Sequence, residues 1–276
     1  MCFDEGLQIM IKMVVTDIDG TIYSPQIGIT DEVKQCIHNL INNGIYVAIA
    51  TGRNFGSTKT IADEIGIKCP LICYQGGLIN TYEGEMIDVK YVDEAPARKI
   101  VKELRNRGIH MNVYIEDVLF VENDNDYIKD YVGDKGIDYF KVDSFDTLDF
   151  TKLNKILAID HNTELIENLI KELQEKYPEL YVVKSTSIFC EIANKEATKG
   201  NAIKLLANKL GFTEKEVLAI GDQNNDIEMV VTAGVGVAMG NGTEEIKLKA
   251  DYITDTVLNN GFVKAIDKFV WGKENA

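Results

Sequence analysis

The chain has 276 residues, 45% of them hydrophobic, enough apolar material for one large domain or two smaller ones. Its 44 Asp and Glu against 29 Lys and Arg give a formal charge of −15, which repels a phosphate backbone and excludes nucleic acid as the expected partner. A protein this acidic handles small anions only through a metal ion or a few well-placed cations.

The first eleven or so residues carry no pattern. They lack the basic region and apolar stretch of a signal peptide, and no segment approaches the roughly 18 continuous apolar residues of a membrane helix. No membrane partner is expected. The five cysteines (Cys2, Cys36, Cys69, Cys73, Cys190) are odd in number and form no CxxC pair, so they read as reduced thiols in a cytoplasmic protein.

Met13–Val15 opens as a buried parallel strand and stops at Thr16-Asp17-Ile18-Asp19-Gly20-Thr21. Thr30 is placed to cap a helix with Asp31 and Glu32 in its first turn; Val33, Ile37, Leu40 and Ile41 form its apolar stripe and Gly44 ends it. The run Ile45–Ala50 breaks at Thr51-Gly52-Arg53. A helix through Ile61 and Ile65 follows, then the run Leu71–Tyr74 and the turn Gln75-Gly76-Gly77. Strand and helix alternating at this spacing predict a parallel sheet with crossover helices.

From about Thr81 to Lys184 the rhythm changes. Met111–Ile115 and Val118–Val121 predict a hairpin around Glu116-Asp117, Lys155–Ile159 a strand, and Thr163–Tyr177 an amphipathic helix. The acidic stretch Glu122–Asp126 reads as a loop. This region suits an inserted α+β module with an antiparallel sheet. Regular spacing then returns with a helix at Lys199–Leu210, a strand at Val217–Ile220, the loop Gly221–Asp226 and a helix to Thr232. A strand at Val235–Met239, a helix at Thr243–Lys249 and a last helix near Val257–Phe269 complete the chain. The predicted class is α/β: a Rossmann-like parallel-sheet core, residues 1–81 and 185–276, interrupted by a smaller domain at 82–184.

Ligands of open parallel sheets bind beyond the carboxyl ends of the strands. Four polar clusters fall there: Asp17–Thr21, Thr51–Arg53, the Lys199-Gly200 helix start, and Gly221-Asp222-Gln223-Asn224-Asn225-Asp226. Were these loops to converge, their carboxylates would repel one another without a cation, and a hard divalent ion with oxygen ligands, Mg2+ first among them, resolves this. Each cluster alone has a plain reading. Asp-x-Asp is a common surface pair and Thr51-Gly52-Arg53 a helix cap; the four in order carry the weight. A lysine at a helix start is electrostatically unfavourable, which suggests an anion nearby. Gly234, Gly236 and Gly240 lack dinucleotide-binding spacing, and His38, His110 and His161 lack ligand spacing.

The DxDGT motif at 17–21, Thr51-Gly52, Lys199 and the GDxxND motif at 221–226 resemble the haloacid dehalogenase superfamily, and within it the Cof-type sugar-phosphate phosphatases. The resemblance runs from about Lys12 to Trp271, and the 145 residues between Arg53 and Lys199 match the large α/β cap of that branch. It implies an Mg2+-dependent phosphatase of small phosphorylated metabolites, with the cap as lid, acting as a monomer or weak homodimer. Asp17 would be the nucleophile and Asp19 the general acid–base. The Ile18 and Gly52 amides, Thr51, Lys199 and Asn225 would hold the phosphoryl group. Asp17, the Asp19 main-chain carbonyl and Asp222 would bind metal, and Asp226 would support them from behind. Arg53, Gln75 and Gly76 are candidates for substrate contact; Gln75 stands where the family commonly has asparagine. Asn194 and Lys195, in the charged stretch before Lys199, read equally as substrate contacts or as a solvated turn. A phosphomutase of similar fold and a non-catalytic phospho-acceptor module are the competing readings.

Overall fold

A computed structural model of the protein describes residues 10–133 and 137–273. Cys2 and the patternless residues before Met10 lie outside them. The chain divides into two compact units. One holds the residues up to Ala50, Ile65–Cys69 and those from Gly200 on; the other holds Thr51–Glu64 and Pro70–Lys199.

The first unit is built on five parallel strands: β1 (Met13–Thr16), β2 (Tyr46–Ala50), β12 (Val217–Gly221), β13 (Val235–Ala238) and β14 (Tyr252–Ile253). Numbered along the chain, they lie side by side in the order β14-β13-β12-β1-β2. All of β1 and β12 is buried, as expected of parallel strands covered on both faces. Met13 pairs with both Val217 and Tyr46, so segments far apart in sequence end their strands at one level. The helices of this unit are α1 (Asp31–Asn42), α6 (Lys199–Lys209), α7 (Ile227–Thr232), α8 (Glu244–Lys249) and α9 (Gly261–Phe269).

Helix α1 starts as its sequence predicts. Thr30 Oγ1 accepts the Val33 amide at 3.3 Å, and Val33, Ile37 and Leu40 are buried. Ile41 is not; it is 38% exposed. At 3.6 residues per turn it sits about 80° around the axis from Val33, on the edge of the stripe. The last predicted helix is also interrupted: a short 3-10 turn (Val257–Asn259) gives way to α9 through Asn260 at φ +58°, a left-handed conformation asparagine tolerates.

The second unit begins with α2 (Phe55–Ile65) and the short antiparallel strands β3 (Leu71–Cys73), β4 (Leu78–Asn80) and β5 (Met86–Val89). After α3 (Glu94–Asn106) come β6 (His110–Ile115), β7 (Val118–Val121), α4 (Asp126–Val132), β8 (Tyr139–Lys141), β9 (Leu153–Ile159), α5 (Thr163–Lys176), β10 (Leu180–Thr186) and β11 (Phe189–Asn194). Their sheet runs β10-β11-β9-β6-β7-β8 and is antiparallel except for the β7–β8 pair, which α4 connects as a crossover. The predicted β6–β7 hairpin is present, with Glu116 and Asp117 at φ +49° and +66° in its two-residue turn. Position 82 falls in the turn between β4 and β5, and β11 carries the second sheet on past 184 to Asn194.

The core of this unit packs Ile100 and Leu104 of α3 and Ile166, Leu169 and Leu173 of α5 against Val113, Ile156 and Ile192 of the sheet. The Cys36, Cys69, Cys73 and Cys190 thiols are unbridged and buried. Burial pushes Cys36 and Cys69 up to about 12 and Cys190 higher still, so these three stay protonated near neutral pH.

Leu169→Ala should lower unfolding free energy by about 2–5 kcal/mol, the usual cost of a cavity in a filled core, whereas Ile41→Ala should stay within about 0.5 kcal/mol. Urea unfolding of both variants checks the contrast; equal losses would place Ile41 in the core after all.

Candidate active site

Asp17 follows β1 directly, its amide donating to Ile220 O of β12 at 3.0 Å. The chain then turns sharply: Ile18 O accepts the amides of Thr21, Ile22 and Tyr23 at 2.9–3.1 Å. Gly20 is required there twice over. Its φ is +86°, and a Cβ would lie 2.3 Å from Asp222 Oδ2. Asp17 is buried while Asp19 is exposed.

The loop after β12 is held from within. Asp226 Oδ2 accepts the amides of Asp222 and Gln223, each at 3.0 Å, and the Gln223 amide side chain donates to Asp222 Oδ2 at 2.9 Å. Asp222 O accepts the Thr243 amide at 2.9 Å. Gly221 leaves room for this, since a Cβ on it would come within 2.5 Å of Asp226 Cβ. Because β1 and β12 are neighbours, carboxylate oxygens of Asp17, Asp222 and Asp226 come within 4.8 Å of one another, all buried. Asn225 lies beside them in sequence, half-buried in the 3-10 turn Asn224–Asp226.

In the second unit Thr51 is buried and Gly52 and Arg53 are half-buried. The Arg53 amide donates to Thr51 Oγ1 at 3.2 Å and its guanidinium to Ser57 Oγ at 3.4 Å. Thr51 O accepts the Gln75 amide at 3.0 Å. Tyr74, Gln75 and Gly76 all have positive φ (+50°, +62°, +107°), and for the two non-glycine residues that conformation is strained. Gln75 is 1% exposed, and its Nε2 donates to Glu191 Oε2 at 3.4 Å. Lys199 opens α6 with a completely buried side chain.

Asn194 and Lys195 hold backbone. Asn194 closes β11 and donates to Tyr91 O at 2.7 Å, while its Oδ1 accepts the Glu196 amide at 2.8 Å; Lys195 donates to Pro178 O. The stretch from Glu191 is therefore strand before it is loop.

Sequence reasoning passes over three groups here. Gln223 is hidden inside the GDxxND motif, whose variable positions carry no assigned role. Lys155 is absorbed into a predicted strand, although a lysine within a buried apolar run is itself a signal. Asp117 reads only as a turn residue. Its Oδ1 accepts the Tyr74 hydroxyl at 2.6 Å and the Phe55 amide at 2.9 Å, capping α2 from across the unit.

The haloacid dehalogenase-like hydrolase family model matches residues 14–266. The chain belongs to that family. It is 30% identical to the 5-amino-6-(5-phospho-D-ribitylamino)uracil phosphatase YcsE of Bacillus subtilis, over 94% of this chain and 96% of that one. A solved haloacid dehalogenase-like hydrolase from Bacteroides thetaiotaomicron superposes with a TM-score of 0.83 at 26% identity, covering 94% of this chain and 99% of that one. The subclass IIB sugar phosphatase BT4131 has the same fold, with a TM-score of 0.82 at 23% identity over 94% and 98% of the two chains. As a haloacid dehalogenase-type phosphatase, the chain is a phosphoric monoester hydrolase, as its four motifs imply.

Burial raises the Asp117 carboxyl above its ordinary 3.8, against the opposing pull of its hydrogen bonds. A carboxyl whose folded-state pKa is raised favours the fold below the unfolded value, and that contribution is lost as pH rises through the folded value. Asp117→Asn keeps an oxygen for both donors without the buried charge. Its melting temperature relative to the parent should therefore rise as pH is taken from about 4 to about 7. A difference flat with pH would contradict this assignment.

Proposed function

We propose that this haloacid dehalogenase-like hydrolase is an Mg2+-dependent phosphatase of small phosphorylated metabolites, sugar phosphates or phosphorylated cofactors, working through an aspartyl-phosphate on Asp17. The observation that supports it most is the buried carboxylate triplet. Three carboxylates within 4.8 Å repel strongly in a buried setting, and oxygen-only donors suit a hard divalent cation. Asp226 Oδ2 already accepts two amides, so Asp17 and Asp222 would be the direct ligands with the Asp19 carbonyl, and Asp226 would keep Asp222 in place. When bound, Mg2+ offsets the negative charge that separates a carboxylate nucleophile from a phosphate dianion.

In the proposed reaction an Asp17 oxygen attacks phosphorus and the ester P–O bond breaks, while protonated Asp19 gives its proton to the leaving alkoxide. Asp19, now a carboxylate, takes a proton from water, whose oxygen attacks phosphorus and releases phosphate from Asp17. The Ile18 and Gly52 amides, the Thr51 hydroxyl, Asn225 and Lys199 hold the phosphoryl oxygens. Arg53, Gln75 and Gly76 lie in the segments that meet the remainder of the substrate, and residues 82–184 act as the lid. The net charge of −15 argues against nucleic acid. No described helix is long and apolar enough to cross a membrane, and a cytoplasmic monomer or weak homodimer completes the reading.

Phosphate release from a panel of phosphorylated metabolites should require Mg2+, stop in EDTA and vanish in Asp17→Asn. Asp19→Asn should fall by about 10²–10⁴-fold, the usual worth of general acid–base help. Turnover that survives Asp17→Asn would refute the aspartyl-phosphate route.

A further inference from the structure

Lys155 is an unexpected buried group in the second unit. It lies on β9, 2% exposed, among side chains that pack the sheet. A buried ammonium costs several kcal/mol unless it is paired and hydrogen-bonded, and an apolar residue would serve packing better. Its partners are specific. Nζ lies 3.3 Å from Glu191 Oε2 on β11 and donates to the main-chain Gly52 O at 3.0 Å, with the Tyr74 and Tyr114 rings each 5.5 Å away.

Both partners lead to one loop. Gly52 O is itself in the loop. Glu191 Oε2 also accepts Gln75 Nε2, and the Gln75 amide holds Thr51 O. The Gln75 side chain lies so close that a Cβ on Gly52 would stand 2.4 Å from its Nε2.

A peptide is planar and trans, so fixing its carbonyl oxygen aims its N–H the opposite way. Pinning Gly52 O therefore fixes the Arg53 N–H, which donates to Thr51 Oγ1 at 3.2 Å. With a lone pair so engaged, the Thr51 hydroxyl is oriented to donate its proton elsewhere. Holding Thr51 O against Gln75 likewise aims the Gly52 N–H away from the Gln75 amide. The charge on Lys155 polarises this chain of bonds along its length.

We propose that Lys155, held by Glu191, is a positioning residue for phosphate binding: it pins the Gly52–Arg53 peptide and through it sets the Thr51 hydroxyl and the Gly52 amide. This rests on the phosphate-holding role proposed above for Thr51 and Gly52. Substrate does not touch Lys155; it feels Lys155 through the loop. Gln75, the departure from the family's usual asparagine, belongs to the same support.

The test is the double variant Lys155→Met/Glu191→Gln, which removes both charges together so that neither is stranded. Melting temperature, steady-state kinetics on a small aryl phosphate, and inhibition by inorganic phosphate are measured with Mg2+ present. Loosened donors grip ground state and transition state alike, so KM and the phosphate inhibition constant should rise together by about tenfold or more, with kcat changing less. A shifted melting temperature with both constants within about twofold of the parent would make the pair purely structural and overturn the proposal. If the double variant does not fold, Lys155→Gln, which retains a donor for Glu191 on a side chain one atom shorter, should show the same rise, and its absence overturns the proposal equally. A parent protein that neither turns over esters nor binds phosphate would instead refute the phosphatase reading itself.

Discussion

Mutual repulsion among Asp17, Asp222 and Asp226 is the constraint around which the first unit is arranged. Three carboxylates whose oxygens come within 4.8 Å, all buried, are costly unless a cation or a set of donors answers them. Part of the answer is built in: two amides on Asp226 and the Gln223 side chain on Asp222. The parallel pairing of β1 with β12 is what brings Asp17 to the other two, and the glycines at 20 and 221 leave the space their carboxylates fill. Replacing either glycine would push on a carboxylate directly.

The second unit spends stability in a comparable way. Tyr74 and Gln75 sit in left-handed backbone, and a lysine, a glutamate and a glutamine are buried where aliphatic side chains would cost less. These features gather around Thr51–Arg53, whereas the interior where α3 and α5 cover the sheet is apolar packing of aliphatic side chains with Phe145, Phe150 and Tyr177. The buried polar partners around Thr51–Arg53 suit the phosphate-holding role proposed for that loop, because donors set in advance need not be ordered when the substrate arrives.

Much of this is legible in the sequence. The strands at 13–16, 46–50 and 217–221 announce themselves as continuous apolar runs, the Thr30 cap is in place, and pattern alone sets the Asp17–Thr21 and Gly221–Asp226 loops at strand ends. Strands β10 and β11 escape that pattern, since Lys184, Glu191 and other polar residues break their periodicity, whereas α3 goes unread although Ala97, Ile100, Val101 and Leu104 follow a helical repeat. Tertiary pairing overrides the local signal: Glu191 is buried because Lys155 on the neighbouring strand answers it. The support from Lys155 and Asp117 lies 103 and 62 residues from the atoms each holds, a distance across which no local pattern speaks. Ile41 marks the opposite error, an apolar residue whose helical phase lies just beyond the buried face.

The central claim, that the carboxylate triplet is a divalent-cation site, is tested most directly by thermal melting across an Mg2+ titration for the parent and for Asp222→Asn. Ligand that binds only the folded state stabilises it by RT ln(1 + [L]/Kd), about 2.7 kcal/mol at a hundredfold excess over Kd. A saturable rise is expected for the parent, largely lost in the variant. Without metal the variant is expected to melt no lower than the parent, since one of three repelling charges is gone. A parent whose melting ignores Mg2+, or a rise of equal size in both proteins, would contradict the central claim.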